Sequence, residues 1–121
     1  MTDQNFWSRL ASFVAGAPVV VDRPNGSARP RIPGLIYPLD YGYLENTTSS
    51  DGGGIDVWVG SLNLVMNKDG AKTLTGILCT FDTLKRDAEI KLLIGCTEKD
   101  IQDFHSEMHT LYIPNAMVPR T

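Results

Sequence analysis

The sequence has few cysteines, no long apolar run and no excess of basic residues, and each shortage excludes a class of protein. Its two cysteines, Cys79 and Cys96, lie in apolar surroundings. We therefore expect buried, reduced thiols, with one disulfide as the alternative. No stretch approaches the ~20 apolar residues of a membrane-spanning helix, which argues against a membrane partner. The net charge of −3 argues against a nucleic-acid partner, because such surfaces cluster Lys and Arg.

The length of the chain and its first residues bear on domain count and location. A chain of 121 residues, 42% of them hydrophobic, favours a single domain over residues 1–121 with one hydrophobic core. Residues 1–16 lack a positively charged segment followed by a sustained apolar run, so they do not resemble a signal peptide. We therefore expect a cytoplasmic protein. The sequence leaves open whether it forms a homo-oligomer.

The spacing of apolar residues predicts strands flanked by two helices. Apolar residues recur at helical intervals over residues 6–14 and again over residues 101–111. Thr97, with Asp100 three residues later, matches a capping box at the start of the second helix. Alternating or β-branched runs predict strands within residues 18–24, 36–44, 55–59, 73–82 and 88–96. The predicted fold is α+β, mainly β, and five strands this short commonly close into a small barrel, here with a helix at each end.

Two pairs of aspartates indicate a metal site. Asp51 and Asp56 enclose three glycines and one isoleucine, and glycines allow the tight turn that would let both carboxylates converge. Asp82 and Asp87 stand at the two ends of a polar loop between the last two predicted strands. Oxygen donors of this kind suit Mg²⁺, which prefers octahedral oxygen coordination at ~2.0–2.1 Å. The alternative for each pair is a charged turn with solvated aspartates.

Other polar residues could bind a phosphate-bearing ligand. Three tyrosines fall within residues 37–43, and their hydroxyls could contact phosphate oxygens or serve as ordinary core aromatics. Glu89 and Lys91 share a face of the last predicted strand with Asp87. His105 and His109 have the i, i+4 spacing of a metal pair, although two surface histidines are the simpler interpretation.

These segments together resemble the soluble inorganic pyrophosphatases of the family I type. The likeness rests on the run Tyr-Pro-Leu-Asp-Tyr-Gly-Tyr at residues 37–43, the aspartates of residues 51–56, and the spacing of Asp82 and Asp87. It covers residues 19–96. The resemblance implies a compact five-stranded barrel, closed or OB-like in shape, with helices outside. It also implies Mg²⁺-dependent hydrolysis of pyrophosphate to two phosphates by a metal-activated water. Mn²⁺ is the expected substitute metal, and pyrophosphate or another small phosphate compound the expected substrate.

The resemblance also implies residue roles. Four aspartates match the family's metal ligands: Asp51, Asp56, Asp82 and Asp87. Tyr41 matches a tyrosine close to the nucleophilic water, which makes Tyr41 and Asp56 the implied catalytic residues. Arg31 matches a phosphate-binding lysine. Glu89 stands where the family has another lysine, and Lys91 on the same face is the expected substitute for substrate binding, together with Tyr41.

One difference from the family bears directly on activity. Gly53 stands where the family has an aspartate that helps to activate the water. We therefore expect weak hydrolysis. The alternatives are a non-catalytic or altered-substrate relative that binds metal and phosphate, and an interaction module with a structural metal site.

Overall fold

The computed structural model describes residues 4–28, 36–50, 52–64, 72–105 and 110–118. Two α-helices, six strands and a short 3₁₀-helix occur in this part of the chain. The helices are α1 (Gln4–Ala15) and α2 (Glu98–His105), and the 3₁₀-helix is Ser61–Leu64. The strands are β1 (Val19–Arg23), β2 (Asp40–Leu44), β3 (Asp56–Val59), β4 (Leu74–Asp82), β5 (Asp87–Ile94) and β6 (Thr110–Pro114).

The six strands form one open sheet in the order β1-β2-β3-β5-β4-β6. Neighbouring strands are antiparallel except for β3 and β5, which run parallel with Val57 beside Leu92 and Val59 beside Ile94. The mainly β, α+β character predicted from the sequence is confirmed. The closed five-stranded barrel is wrong, because β4 and β6 extend the sheet away from β1 instead of returning to it.

The strand β6 was not predicted, since the helical pattern was expected to continue to Leu111. Instead α2 ends at His105, and Leu111 lies in β6 beside Cys79 of β4. Its side chain is half exposed, so the apolar stripe of the predicted helix does not extend to it. The sequence Thr-Leu-Tyr-Ile-Pro in β6 contains β-branched and aromatic residues that favour an extended backbone.

Apolar side chains pack on both faces of the sheet, as the alternation in β3 predicts. On one face Val57 and Val59 pack with Trp7 and Val14 of α1. On the other face Trp58 joins a cluster that includes Leu78 and Leu93 of the sheet and Ile101 of α2. Complete burial of a side chain of this size contributes ~1.5–3 kcal/mol. The two clusters therefore hold the sheet rigid around the positions where its polar residues emerge.

Close contact between β1 and β2 requires glycine at residue 42. A Cβ atom there would lie 1.9 Å from the carbonyl oxygen of Val20, so no larger residue fits. The register of this strand pair shifts between Val21 and Arg23, next to the close approach. This packing brings β1 over the strand that carries Tyr41.

Two further predictions from the sequence concern the state of the cysteines and membrane-spanning helices. Cys79 and Cys96 are both free thiols, so the prediction of no disulfide is confirmed. Cys96 is buried as expected, whereas Cys79 is half-buried. None of the described helices is long and apolar enough to cross a membrane.

The predicted capping box at the start of α2 is confirmed. The Asp100 amide donates to Thr97 Oγ1 at 3.0 Å, and the Thr97 amide donates to Asp100 Oδ2 at 2.9 Å. Ser61 adds two donors to the same Oδ2, from its amide at 3.0 Å and its hydroxyl at 2.9 Å. Partial burial alone would raise the pKa of Asp100, but the hydrogen bonds from Thr97 and Ser61 outweigh it and lower that pKa. The charged form of Asp100 therefore ties α2 to the end of β3.

We predict that this carboxylate contributes to acid sensitivity. Because the pKa of Asp100 is lower in the folded chain, its stabilisation is present above the unfolded-state value of ~3.9 and is lost as the pH falls through the folded value. Asp100→Asn should lower the free energy of unfolding at pH 7 by on the order of 1 kcal/mol, a modest value because the group is only half-buried and solvent screens its charge. Thermal melts between pH 7 and pH 3 should show a smaller acid loss in this variant than in wild type.

The control for that comparison is Asp22→Asn on β1, which removes an equal charge from an exposed position. It should melt in parallel with wild type across the pH range. If Asp100→Asn and wild type lose stability equally on acidification, the charge of Asp100 does not stabilise α2.

Candidate functional site

Four polar side chains from three neighbouring strands meet on the face of the sheet that carries Trp58. Tyr41 lies in β2, Asp56 begins β3, and Glu89 and Lys91 lie in β5. The antiparallel register sets Tyr41 beside Trp58, and the parallel register of β3 and β5 brings Asp56 next to Lys91. Because side chains alternate across a strand, Glu89 and Lys91 emerge on the same face.

The ammonium group of Lys91 is at the centre of this cluster. It donates to Tyr41 Oη at 2.7 Å, to Asp56 Oδ2 at 3.1 Å and to Glu89 Oε2 at 3.3 Å. The side chain of Lys91 is only 11% exposed, whereas those of Asp56 and Glu89 are 33% and 36% exposed. The cation therefore lies beneath two carboxylates that solvent can reach.

An aromatic group holds one side of the cluster in place. The ring of Tyr41 packs 4.6 Å from that of Trp58 and stacks 5.6 Å from that of Tyr37, measured between centroids. Lys91 Nζ lies 5.2 Å from the centroid of the Tyr41 ring, at the end that carries the hydroxyl. Of the three tyrosines in residues 37–43, Tyr37 and Tyr41 thus support the position of Lys91 by packing.

Burial and hydrogen bonding shift the protonation of the central pair. Burial raises the pKa of Tyr41 to about 12, with Lys91 acting in the opposite direction and Asp56 adding to the rise. Burial alone would lower the pKa of Lys91, but the oxygens of Tyr41 and Asp56 outweigh it and raise that pKa above its usual value. At neutral pH the cluster therefore contains a neutral phenol, one ammonium and two carboxyl groups.

No protein-family model matches the chain, and no curated protein matches its sequence. The resemblance in residues 37–43, 51–56 and 82–87 is consequently a likeness of motifs. What these residues can do has to be argued from the geometry around Lys91.

The structure brings together three of the predicted site residues, namely Tyr41, Asp56 and Lys91. Two others, Asp51 and Arg31, lie outside the described residues, as does His109 of the predicted histidine pair. The roles given to Asp51 and Arg31 stay predictions.

Asp82 and Asp87 lie at the far end of the β4–β5 hairpin, away from the cluster. They face each other across the two strands, and Asp82 Oδ1 accepts bonds from the amides of Leu84 and Lys85 at 3.0 Å each. Asp82 therefore stabilises the turn. Asp87 precedes Lys91 by four residues, which is ~13 Å along an extended strand. The structure does not bring this pair to Asp56, and its proposed metal binding stays a prediction.

Glu89 is the site residue that the sequence left without a role. The sequence shows only that it shares a strand face with Asp87 and Lys91 and occupies the position of an expected lysine. Its carboxylate and that of Asp56 both lie within 3.3 Å of the Lys91 nitrogen, and that proximity depends on the parallel register of β3 and β5. The sequence feature that could have identified Glu89 as a site residue is its position two residues before Lys91, which puts both side chains on the same face of the strand.

The donors of this cluster fit a hydrated magnesium or manganese ion. In the described part of the chain no group of three or more His, Cys, Asp or Glu side chains is arranged to hold a metal. Mg²⁺, however, is commonly bound through one or two carboxylates, several waters and the phosphates of a substrate. Asp56 and Glu89 supply two such carboxylates, and the Lys91 ammonium is a stand-in cation between them.

A groove of 370 Å³ adjoins the two carboxylates. It lies on the face of the sheet that α1 covers, and most of its lining is apolar. The lining residues are Leu10, Phe13, Ile55, Ala88, Ile90 and Leu92, with Ser49, Ser50, Asp56 and Glu89. The volume falls in the usual range for small-molecule sites, ~300–1,000 Å³. The side chains of Glu89 and Lys91 emerge on the opposite face of the sheet, so this mainly apolar groove is not the approach to the Lys91 ammonium.

We predict that Lys91 and Asp56 are energetically coupled. In a double-mutant cycle of Lys91→Met and Asp56→Asn, measured by urea unfolding, the coupling energy should be about 1–2 kcal/mol, because each single variant leaves a half-buried charge without its partner. A cycle of Lys91→Met with Asp87→Asn, which removes the same charge at the far end of β5, should be additive within ~0.5 kcal/mol. Equal coupling in the two cycles would contradict the observed placement of the two aspartates.

Proposed function

We propose that the protein binds a divalent metal ion through Asp56 and Glu89 and hydrolyses pyrophosphate, or another small phosphate compound, at that position. The observation that carries the proposal is the pair of carboxylates around a single ammonium group, with both carboxylates reached by solvent. Oxygen donors with a nearby cation and hydroxyl are what a metal–phosphate complex requires. Mg²⁺ is the proposed metal, with Mn²⁺ as a substitute.

The chain's own residues have separate tasks in this proposal. When bound, Mg²⁺ would supply Lewis acidity that neutralises phosphate charge and lowers the pKa of water. Asp56 and Glu89 provide the anionic oxygens on the solvent side of the cluster. Lys91 provides a positive charge that can contact a phosphate oxygen. Phosphoryl transfer depends mainly on positioning and on neutralising negative charge. Asp56 and Glu89 would position the metal, and Lys91 would add positive charge beside it.

Tyr41 is suited to donate a hydrogen bond. Because burial raises the pKa of its hydroxyl to about 12, this group keeps its proton at neutral pH. Its ring is held by Trp58 and Tyr37, so the position of the oxygen is set before any ligand binds. A fixed donor of this kind can orient a phosphate oxygen or a water.

A non-catalytic metal and phosphate binder is the second candidate, and Gly53 favours it. This residue is exposed in the turn before β3, where its carbonyl accepts a bond from the Ser49 amide at 2.7 Å. It has no side chain that could take a proton from water. General-base assistance typically contributes ~10²–10⁴-fold in rate, so its loss favours slow hydrolysis or binding alone.

We predict metal-dependent release of phosphate from pyrophosphate. Wild-type protein should release phosphate slowly with millimolar Mg²⁺ or Mn²⁺ and not after treatment with a chelator. Asp56→Ala should lower the rate by about 10²-fold or more, because it removes a direct oxygen donor. Asp22→Ala, an equal loss of charge on the exposed part of β1, should leave the rate unchanged.

Thermal melts in the same buffers distinguish the two candidates. Metal that binds only the folded chain raises its stability by ~2.7 kcal/mol at a hundredfold excess over the Kd. A metal-dependent rise without phosphate release would support the non-catalytic binder. Neither a rise nor release with any metal would contradict both.

We also predict that Gly53→Asp speeds hydrolysis. It introduces a carboxylate at an exposed position three residues before Asp56, and the expected gain approaches 10²-fold if that group can accept a proton. The neighbouring Gly52 has φ of 89°, so Gly52→Asp is the comparison in which the same side chain should cost stability. A folded Gly53→Asp protein with wild-type rates would show that the missing carboxylate does not limit the reaction.

A further inference from the structure

The cluster around Lys91 already contains a cation before any metal binds. Lys91 Nζ lies 3.1 Å from one oxygen of Asp56 and 3.3 Å from one oxygen of Glu89. Each carboxylate therefore directs an oxygen toward the same point. In the metal-free chain the ammonium offsets the mutual repulsion of the two carboxylates, which would otherwise disfavour the pairing of β3 with β5 at this end.

We propose that Lys91 is an internal competitor for the metal, so that a divalent cation binds Asp56 and Glu89 only by displacing the Lys91 ammonium from them. This inference rests on the proposed function, since it takes the same two carboxylates as ligands. It concerns what Lys91 does to metal affinity, which the proposed function leaves open.

The distances make joint occupancy unfavourable. A Mg²⁺ ion binds its oxygen ligands at ~2.0–2.1 Å, so an ion on the Asp56 oxygen would lie within a few ångströms of the ammonium. Repulsion between the two cations grows with the charge of the ion, and the low exposure of Lys91 limits screening by solvent and salt. The ion and the ammonium therefore compete for the same carboxylate oxygens.

The Lys91 ammonium keeps one hydrogen-bond partner when a metal ion displaces it from the two carboxylates. Its ammonium also donates to Tyr41 Oη at 2.7 Å. The lysine side chain has several rotatable bonds, so the ammonium can keep the tyrosine contact while it loses the other two. Tyr41 would thus hold the displaced cation beside the metal, where a phosphate group can reach it. Lys91 is a positioning residue in this scheme.

The test is the affinity for Mn²⁺ alone, measured by electron paramagnetic resonance of the free ion at constant ionic strength. Lys91→Met keeps the aliphatic stem and removes the charge, so it should lower the Kd for Mn²⁺ at least tenfold. Lys85→Met is the matched control, because it makes the same substitution in the exposed turn of the same hairpin. It should change the Kd less than twofold. An unchanged or weaker affinity in Lys91→Met would overturn the proposal.

A second measurement uses wild-type protein and does not depend on the folding of a variant. Displacement removes two of the three hydrogen-bond partners of the Lys91 ammonium, so its rate of acetylation, followed by mass spectrometry, should rise severalfold when Mg²⁺ is added. Lys85, already exposed, should react at the same rate with and without Mg²⁺. Slower or unchanged acetylation of Lys91 with Mg²⁺ would count against displacement.

The results separate this inference from the proposed function. One result is that wild type hydrolyses pyrophosphate in a metal-dependent way while Lys91→Met binds Mn²⁺ no more tightly than wild type does. This result would contradict competition by Lys91 and support the proposed hydrolysis. Tighter Mn²⁺ binding by Lys91→Met, with no hydrolysis by wild type, would support competition by Lys91 for the metal and contradict the proposed hydrolysis. No Mn²⁺ binding by wild type or variant would overturn both.

Discussion

The parallel pairing of β3 with β5 determines which charged side chains can meet in this protein. With Val57 beside Leu92, the first residue of β3 comes level with Lys91. Asp56 then has a cation 3.1 Å away, and Glu89 approaches the same cation from the neighbouring strand position. A shift of one residue would turn every side chain of β3 to the opposite face, with Asp56 among the apolar residues beneath α1. The site and the core therefore depend on one register.

The core on both faces holds that register. Val57 and Val59 pack against α1, and Trp58 packs between Tyr41 and the cluster that Ile101 of α2 joins. The same tryptophan supports the tyrosine whose hydroxyl contacts Lys91. Packing and charge are thus linked through a few contacts. This linkage explains how a half-buried ammonium can remain in place without being surrounded by carboxylates on every side.

The aspartates show that residue spacing in the sequence does not determine which side chains come together in the folded protein. Asp82 and Asp87 have the spacing of metal ligands, yet Asp82 accepts two amide bonds of its own turn and Asp87 lies ~13 Å along β5 from Lys91. Glu89, which fits no motif, meets Asp56 instead. Sequence spacing describes distance along one strand. It contains no information on how far the next strand is shifted.

By itself the sequence determined the local features of this protein. The alternation in β3, the capping box of Thr97 and Asp100, and the mainly β composition could all be predicted, because each depends on residues a few positions apart. Only the tertiary structure decided that the sheet stays open, that Leu111 lies in a sixth strand, and that Glu89 rather than Asp87 joins Asp56. Those outcomes depend on hydrogen bonds between strands far apart in the chain, and their register is set by packing of the whole sheet.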